Sequence, residues 1–414
     1  MKHINNRLPA FYEEVSRELW EILAFWSKET LDRQHGGFIG RIDYNQVKYP
    51  TADRGAVLQA RILWTFATAY RLYGREEDRP IAIRAYEYLK NHFIDAEYGG
   101  IYWTVDYLGQ PVNTKKQVYA LAFGIYALAA YSSSHQSKEA LQLAVDVYRQ
   151  IEQHAFDPID NGYFEAFDRQ WQLLEDFRLS DKDANEAKTM NTHLHILEAY
   201  SALYTIWPDK DLLRRIQNLL SLFDDKILNK EKTHLNLFFD QYWHVRGNII
   251  SYGHDIEASW LLLEAARNTG NTYEIAKFKR IALSLAHASL QGVDSAGALL
   301  YEHDCETDNI VAERHWWVQA ECLVGFFQAY QLSKQQRFLD VVFRNWSFVQ
   351  QYIKDRQHGE WHWGISEKGS VMREDKIGPW KCPYHNARAC MELIQRINLC
   401  YNLPSSETSK KLSH

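Results

Sequence analysis

Residues 55–74 read GAVLQARILWTFATAYRLYG, a stretch with helical periodicity but almost no polar face. Apolar side chains recur at positions 57, 58, 62, 66 and 69, with further apolar residues between them. A helix that is apolar nearly all round is buried on most of its faces, so the stretch predicts an interior helix. Similar stretches occur at residues 117–134, 191–207, 256–270, 318–333 and 386–401.

Amphipathic helices alternate with these apolar ones, for example over residues 76–94 and 138–156. A turn followed by a short aromatic or β-branched run also recurs, at a spacing of roughly 60 to 70 residues. Its copies are HGGFIGRID (35–43), YGGIYWTVD (98–106), NGYFEAFD (161–168), THLNLFFD (233–240), GALLYEHD (297–304) and HGEWHWGI (358–365). This period accommodates one helix pair per unit, so six units fill the chain.

These units predict an all-α fold, an (α/α)6 barrel of six inner and six outer helices with short β-hairpins in the connecting loops. A closed ring buries the inner helices most compactly, and an open solenoid of helix pairs is the alternative. No linker rich in Pro, Gly or Ser divides the chain. We therefore predict one catalytic domain over residues 1–414, with a core at about 12–400 and a flexible tail at 403–414.

The composition argues against several classes of partner. The formal net charge of −6 does not indicate a nucleic acid or a membrane surface. The five cysteines form no CxxC pair, which argues against a disulfide framework or a zinc knuckle and favours a reducing cytoplasm. No run of about 18 apolar residues occurs, and the N-terminal residues resemble no signal peptide. We expect a cytoplasmic monomer whose partner is a small molecule.

Polar residues at the ends of inner helices are candidate site residues, because a closed ring leaves a pocket at one mouth. Arg61 lies on an inward stripe with Val57 and Trp64, where it needs either an acidic partner or a ligand. His193 and His195 lie about 200° apart on a helix, so only one of them faces the pocket. Their spacing is also not that of a two-histidine metal site, which requires i,i+4.

Residues 251–263 read SYGHDIEASWLLL and begin a core helix with ionisable groups. His254 and Glu257 are spaced i,i+3 on one face, whereas Asp255 points elsewhere and would cap the first turn. A helix N-terminus disfavours imidazolium, which keeps His254 neutral, as a general base must be. Glu257 could hold the ring in one tautomer. The alternative is a capped helix start with a buried structural histidine.

Two later helix starts repeat this arrangement. Trp317 and Glu321 are spaced i,i+4. Further along the chain, Trp380 is followed by His385 and Arg388, which are spaced i,i+3 from each other. Aromatic platforms and helix-start histidines at one mouth suggest sugar chemistry rather than packing alone. The sequence contains no GxGxxG after a strand and no HExxH, GxSxG or phosphate-loop motif, so we expect neither a cofactor nor a metal.

Five motifs together resemble the N-acylglucosamine 2-epimerase superfamily over about residues 12–400. They are QARILWTF (59–66), KTMNTHLHILEAY (188–200), SYGHDIEASWLL (251–262), RHWWVQAE (314–321) and PWKCPYHNAR (379–388). The resemblance implies an (α/α)6 barrel, in agreement with the repeat. It further implies epimerisation, without a metal or cofactor, at C2 of the reducing-end glucose of β-1,4-linked disaccharides such as cellobiose, lactose and mannobiose.

The resemblance also implies roles for individual residues. His254 and His385 would carry the proton on the two faces of C2, Arg61 would stabilise the enediolate, and His195 would assist ring opening or bind the sugar. Glu257 would orient His254. The substrate-binding residues would be Tyr119, Asn191, Asp183, Glu257, Trp317, Glu321 and Trp380, with the two tryptophans stacking on sugar rings. Gln117 and Ala387 stand where the family pattern has His and Gly, which leaves fine specificity open.

The expected reaction depends on two bases. The C2–H is acidic only when C1 is a carbonyl, so the sugar ring must open first. Two histidines on opposite faces invert C2, whereas a single base that moves the proton from C2 to C1 makes a ketose. The alternatives are an aldose–ketose isomerase or an N-acylglucosamine 2-epimerase of the same superfamily, a glycosidase using two carboxylates, and a non-catalytic sugar-binding protein.

Overall fold

The computed structural model describes residues 2–180 and 184–401, so Asp183 and the predicted tail at 403–414 lie outside the described residues. Twelve α-helices of two alternating kinds occur in the described chain. The inner helices are α2 (Ala56–Tyr73), α4 (Val118–His135), α6 (Met190–Ile206), α8 (Tyr252–Thr269), α10 (Trp316–Ser333) and α12 (Tyr384–Tyr401). The outer helices are α1 (Lys2–Glu29), α3 (Arg79–Tyr88), α5 (Lys138–Gln150), α7 (Lys210–Leu222), α9 (Thr272–Ser289) and α11 (Gln336–Phe348).

The inner helices form a closed ring. Each packs on the next along the chain, from α2 to α12, and α12 returns to pack on α2. Each outer helix packs against an inner one, as α3 does against α2 and α1 against α12. This arrangement confirms the predicted (α/α)6 barrel and excludes the open solenoid, in which the first and last inner helices would not meet.

The two kinds of helix differ in burial. In α4, 13 of 18 residues are buried, so nearly every face is covered. In α7, by contrast, the buried residues are Leu212, Ile216, Leu219, Leu220 and Leu222, which lie on one face at helical spacing. The N-cap of α7 is Asp209, whose side chain accepts hydrogen bonds from the N–H groups of Asp211 and Leu212. The difference between inner and outer helices predicted from the sequence is present in the structure.

In five of the six units, an aspartate ties the end of an outer helix to a basic residue of a later segment, and four of these aspartates are buried. Asp32 accepts hydrogen bonds from the N–H groups of Gln34 and His35 and binds Arg54 at 2.5 Å. The equivalent pairs are Asp95–Lys116, Asp157–Lys188, Asp294–Arg314 and Asp355–Lys376. These ion pairs hold in place the turn that precedes each aromatic run.

The fourth unit uses a different contact, because Asn229 and Ile250 occupy the two equivalent positions. Here the carboxylate of Asp255 lies 2.7 Å from Nδ1 of His234 and accepts a hydrogen bond from the N–H of Leu235. The prediction that Asp255 caps its own helix is therefore wrong. The helix already begins at Tyr252, so Asp255 lies within the first turn and binds the neighbouring turn instead.

Short antiparallel strands join neighbouring units and confirm the predicted hairpins. The three-stranded sheets are β1 (Arg54–Gly55), β2 (Thr104–Val105) and β3 (Pro111–Asn113); β6 (Lys188–Thr189), β7 (Phe238–Phe239) and β8 (Val245–Arg246); and β9 (Ile249–Ser251), β10 (Glu302–Asp304) and β11 (Asn309–Val311), with β2, β7 and β10 central. The two-stranded sheets are β4 (Lys116–Gln117) with β5 (Ala166–Phe167) and β12 (Arg314–His315) with β13 (Gly364–Ile365). A bridge between Ile42 and Ile377 links the last unit to the first. Within residues 2–180 and 184–401, no helix is both long and apolar enough to cross a membrane.

Candidate active site

The predicted site residues within the described chain lie at or near the N-terminal ends of the inner helices. Arg61 lies on α2, Tyr119 on α4, Asn191 and His195 on α6, His254 and Glu257 on α8, Trp317 and Glu321 on α10, and His385 on α12. Trp380 precedes α12, and its ring centroid is 5.9 Å from that of Tyr119. Hydrogen bonds and ring contacts join these side chains into one site, except for Asn191, which lines the same cavity as His254.

Arg61 is buried without an acidic partner among the described residues. Its Nη2 donates a hydrogen bond to the hydroxyl of Tyr119 at 2.8 Å, and its Nη1 contacts Sγ of Cys382 at 3.7 Å. The ring of Phe123 lies 4.1 Å from the guanidinium, and Nε is buried without a hydrogen-bond partner. Because an arginine keeps its charge, this group is suited to an electron-rich oxygen of a ligand.

His254 is held by a hydroxyl group. Its Nδ1 lies 2.8 Å from Oγ of Ser251, and its ring centroid is 4.8 Å from that of Trp317. Burial lowers the pKa of His254 to about 3, so the imidazole is neutral near pH 7. A serine hydroxyl can donate or accept, so Ser251 can accompany either tautomer of the ring.

His385 is held by a carboxylate. Its Nδ1 lies 2.7 Å from Oε1 of Glu321, and its ring centroid is 5.7 Å from that of Trp317. Burial, followed by the positive charges of Arg61 and Arg388, keeps the pKa of His385 well below its usual range. The site therefore contains two neutral imidazoles that both contact one tryptophan, and each has a different partner on Nδ1.

Arg388 connects three buried carboxylates behind these histidines. Its guanidinium binds Glu257 and Glu321 at 2.6 Å each, and it also donates to Glu198. Glu198 in turn lies 2.9 Å from Nδ1 of His195. Each of these carboxylates would be costly to bury unpaired, and Arg388 offsets part of that cost. Arg388 helps to lower the pKa of Glu198 to about 2 against the effect of burial, whereas burial raises the pKa of Glu321 despite Arg388.

Glu257 does not hold His254 as the sequence led us to expect. Its Oε1 accepts the hydrogen bond from Arg388, and its Oε2 is buried without a partner among the described residues. Burial and the nearby charge of Glu321 raise the pKa of Glu257. The i,i+3 spacing does place both residues on one helix, but Glu257 lies one turn deeper, where it binds the interior cation.

The two histidines of the NTHLH motif have different surroundings. His193 uses both ring nitrogens, since Nε2 accepts a hydrogen bond from the N–H of Tyr163 at 2.9 Å and Nδ1 lies 2.6 Å from the carbonyl oxygen of Thr189. His193 is thus a structural residue. His195 instead packs against the Tyr119 ring, at a centroid distance of 5.1 Å, and so belongs to the site.

A cavity of about 210 Å³ opens beside His254. Asn191 lines it, and the Oδ1 atom of Asn191 is buried without a hydrogen-bond partner in the described structure. The cavity also presents apolar or aromatic surface from Phe177, Leu179 and Tyr301. A ligand hydroxyl could satisfy Asn191 there, while the flat apolar faces of a sugar could cover the aromatic surface.

The two departures from the family pattern have structural positions of their own. Gln117 is buried and donates from Nε2 to the carbonyl oxygen of Phe177 at 3.0 Å, so it holds a cavity-lining loop. Ala387 is fully buried in the first turn of α12. Sequence reasoning missed Ser251 and Glu198. The i,i+3 spacing of His195 and Glu198 could have indicated Glu198, whereas Ser251 stood in the quoted motif without a recognised role.

One group of side chains has the composition of a metal site. Glu257, Glu321 and His385 place one ligand atom each within 4.8 Å of one another. Arg388 already binds both carboxylates, so a second cation at this point would meet a like charge. The geometry therefore favours neutralisation by arginine, and the expectation of no metal stays a prediction.

Comparison with known proteins shows to which protein family the chain belongs. The sequence profile of the family described as N-acylglucosamine 2-epimerase matches residues 37–389. The chain belongs to the N-acylglucosamine 2-epimerase family, and it is therefore a carbohydrate epimerase, an enzyme of the isomerase class.

Three individual relatives are similar to this chain over most of their length. The chain is 47% identical to the cellobiose 2-epimerase of Bacteroides fragilis over 384 residues, which is 92% of this chain and 98% of that protein. The solved cellobiose 2-epimerase of Bacillus thermoamylovorans superposes with a TM-score of 0.90 at 41% identity, covering 94% of this chain and all of that one. A solved D-mannose isomerase, at 21% identity and a TM-score of 0.79 over 92% of this chain and 97% of that one, shares the fold.

Proposed function

We propose that this chain is a cellobiose 2-epimerase, which interconverts the glucose and mannose forms of the reducing-end sugar of β-1,4-linked disaccharides. The observation that carries the proposal is the pair of neutral imidazoles, His254 and His385, that both contact Trp317. The identity to cellobiose 2-epimerases supports the substrate class, which includes cellobiose, lactose and mannobiose.

In the proposed mechanism, the sugar ring first opens to expose the aldehyde at C1. His195, which packs against Tyr119, is assigned to assist this opening or to bind the sugar. One neutral histidine then removes the C2 proton. The resulting cis-enediolate carries negative charge, which Arg61 can stabilise because no carboxylate of the described chain competes for its guanidinium. As negative charge develops on the enediolate, the second histidine takes a proton from solvent and delivers it to the opposite face of C2, while the first histidine releases the abstracted proton to solvent.

The arrangement of carboxylates favours this reaction over glycoside hydrolysis. A glycosidase requires one carboxylic acid and one free carboxylate beside the scissile bond. Glu257 and Glu321 both bind Arg388, and Glu321 also accepts a hydrogen bond from Trp260. An aldose–ketose isomerase needs only one base at C2 and C1. The presence of two histidines therefore supports epimerisation.

A disaccharide suits the space beside the histidines better than a single sugar does. The cavity next to His254 provides Phe177, Leu179 and Tyr301 beyond the residues that the reaction at C2 requires. Trp380 adds an aromatic face near Tyr119 and lies 6.0 Å from the ring of Trp103. A second sugar ring would bury part of this aromatic surface, which favours binding.

The compartment and assembly are part of the same proposal. Cys305, Cys322, Cys382 and Cys390 are free thiols, as expected in a reducing cytoplasm. We propose a cytoplasmic monomer that acts on a small-molecule substrate, with no nucleic acid or membrane partner. Size-exclusion chromatography with light scattering tests the assembly.

Proton NMR of cellobiose incubated with the enzyme in D2O tests the reaction itself. Epimerisation gives a mannose-ended disaccharide with deuterium at C2, whereas an isomerase gives a ketose and a glycosidase releases glucose. Recovery of unchanged cellobiose with its C2 proton intact would contradict the proposed function.

A further inference from the structure

A second cavity, of about 380 Å³, lies at the opposite mouth of the barrel. It is formed by the C-terminal halves of five inner helices, and none of its lining residues lines the cavity beside His254. The side chains that determine its chemistry are Trp64, Thr68, Tyr126, Ser201, Glu264 and Asn268. The epimerisation proposed above uses none of them.

Only one layer of side chains separates this second cavity from the active site. Glu198 lines the cavity, and the same residue binds Arg388, Tyr384 and His195 on its other side. Since all of these side chains are buried, the two cavities open to solvent at different ends of the barrel. A molecule in the second cavity therefore need not compete with a substrate at the first.

Each carboxylate that lines the second cavity is paired with an arginine. Arg396 binds Glu264 at 2.8 Å and Glu392 at 2.9 Å, while Glu198 binds Arg388. In the buried part of the cavity, a charged ligand would have to displace one of these ion pairs or lie without a partner, and both are costly. Arg71, the remaining charged lining residue, is exposed at the rim. The charges therefore favour a neutral ligand.

Ser201 provides a direct indication of a polar ligand. Its side chain is only 7% exposed, yet Oγ has no hydrogen-bond partner among the described residues. Asn268, which donates to the carbonyl oxygen of Ser201 at 3.4 Å, lines the cavity beside it. A buried hydroxyl without a partner costs free energy, and a ligand hydroxyl would remove that cost.

The opposite wall of the cavity is aromatic. Trp64 and Tyr126 stack with a centroid distance of 5.2 Å and an interplanar angle of 21°. Such a wall suits the flat C–H face of a polyhydroxylated ring, while Ser201 and Asn268 suit its hydroxyl groups. We propose that this cavity is a second binding site, for a neutral cyclic polyol of sugar size.

The site is tested with myo-inositol, a neutral cyclic polyol that has no carbonyl or anomeric carbon and so cannot be epimerised. Saturation-transfer difference NMR is recorded with the unaltered protein and with three variants. Thr205→Trp obstructs the second cavity at its exposed rim, and Ser201→Leu obstructs it at its buried hydroxyl. Trp380→Ala alters only the end of the barrel that holds the candidate active site.

We expect saturation transfer with the unaltered protein and with Trp380→Ala, and a loss of affinity of about tenfold or more with Thr205→Trp and Ser201→Leu. The thermal unfolding midpoint of each variant establishes that it is folded, and Thr205→Trp decides the matter if Ser201→Leu does not fold. Absence of binding to the unaltered protein, equal binding to Thr205→Trp, or loss of binding in Trp380→Ala would overturn the proposal. Because the readout is binding, it does not depend on epimerase activity.

Discussion

A single oxygen, Oε1 of Glu321, lies 2.7 Å from Nδ1 of His385 and also accepts a hydrogen bond from Arg388 at 2.6 Å. The carboxylate therefore orients the imidazole while the arginine compensates its charge. With Nδ1–H directed at Glu321, Nε2 of His385 is left as the proton acceptor. His254 has no such carboxylate, and Ser251 is its partner instead.

Replacement of Glu321 by glutamine should lower kcat by about a hundredfold or more. His385 would lose the carboxylate that keeps the proton on Nδ1 and leaves Nε2 free to accept one. KM should change much less, because Glu321 contacts the histidine rather than the position we assign to the sugar. Steady-state kinetics on cellobiose measure both constants. The exposed Glu76→Gln is the matched control and should retain full activity. An equal fall in kcat for both variants would contradict the positioning role.

Replacement of either proposed catalytic histidine should reduce epimerisation by about 10² to 10⁴, because in the proposed mechanism each one handles the proton on one face of C2. His254→Ala and His385→Ala are compared with His244→Ala, whose side chain is 72% exposed. NMR rates of product formation provide the readout, and circular dichroism checks the fold. Retention of more than about a tenth of the activity in either site variant would refute the two-histidine mechanism.

Prolonged chelation should leave activity unchanged. Arg388 already binds Glu257 and Glu321, the two carboxylates of the potential metal group, so a metal ion there would meet a like charge. The enzyme is dialysed against EDTA and assayed on cellobiose, and metal content is measured by mass spectrometry. Loss of activity that one divalent ion restores would show that these side chains hold a metal.

Disaccharides should be better substrates than free glucose. Trp317 and Trp380 offer separate aromatic faces, and stacking on a second ring adds about 0.5–1.5 kcal/mol, so kcat/KM should rise by up to about tenfold from glucose to cellobiose or lactose. Kinetics on glucose, mannose, N-acetylglucosamine, cellobiose, lactose and mannobiose measure this preference. If N-acetylglucosamine is the best substrate, the proposed substrate class is wrong.

The protein should lose stability as the pH falls below about 6.5. Burial lowers the pKa of His193 to about 4, so the unfolded state binds a proton between about pH 6.5 and 4 while the folded state does not. The free energy of unfolding should therefore fall on acidification, by up to about 1.4 kcal/mol per pH unit for this group. Urea unfolding at several pH values measures the slope. It should become shallower in His193→Asn and stay unchanged in the exposed His244→Asn.

The sequence allowed the number and kind of the helices to be predicted, because apolar spacing is a local property of the chain. It also predicted a site at the starts of inner helices, since Arg61, His254 and His385 interrupt apolar runs, and the structure brings these residues together. The predictions that were wrong concern the hydrogen-bond partners of buried side chains. Asp255 and Glu257 were assigned to their own helix, but each binds a residue that is distant in sequence, His234 and Arg388.

Such partners depend on how helices pack rather than on spacing within one helix. Arg388 binds carboxylates from α6, α8 and α10, and nothing within the PYHNAR motif specifies that it lies equally close to all three. Ser251 is different, because it lies only three residues before His254 and is a local partner. Buried charges are compensated across the ring, and the order of residues along the chain does not encode that compensation directly.

The contact between α2 and α12 differs in kind from the other five interfaces between inner helices. Those five join neighbours along the chain, whereas this one requires segments near both ends of the described chain to meet, at a larger cost in loop-closure entropy. We call this α2–α12 contact the seam. Arg61 of α2 contacts Cys382, which lies just before α12, and His385 follows in the first turn of α12. A folding intermediate with the seam open could contain nearly all of the helices, yet Arg61 would be separated from His385, so catalytic competence would arise only at the last step of assembly.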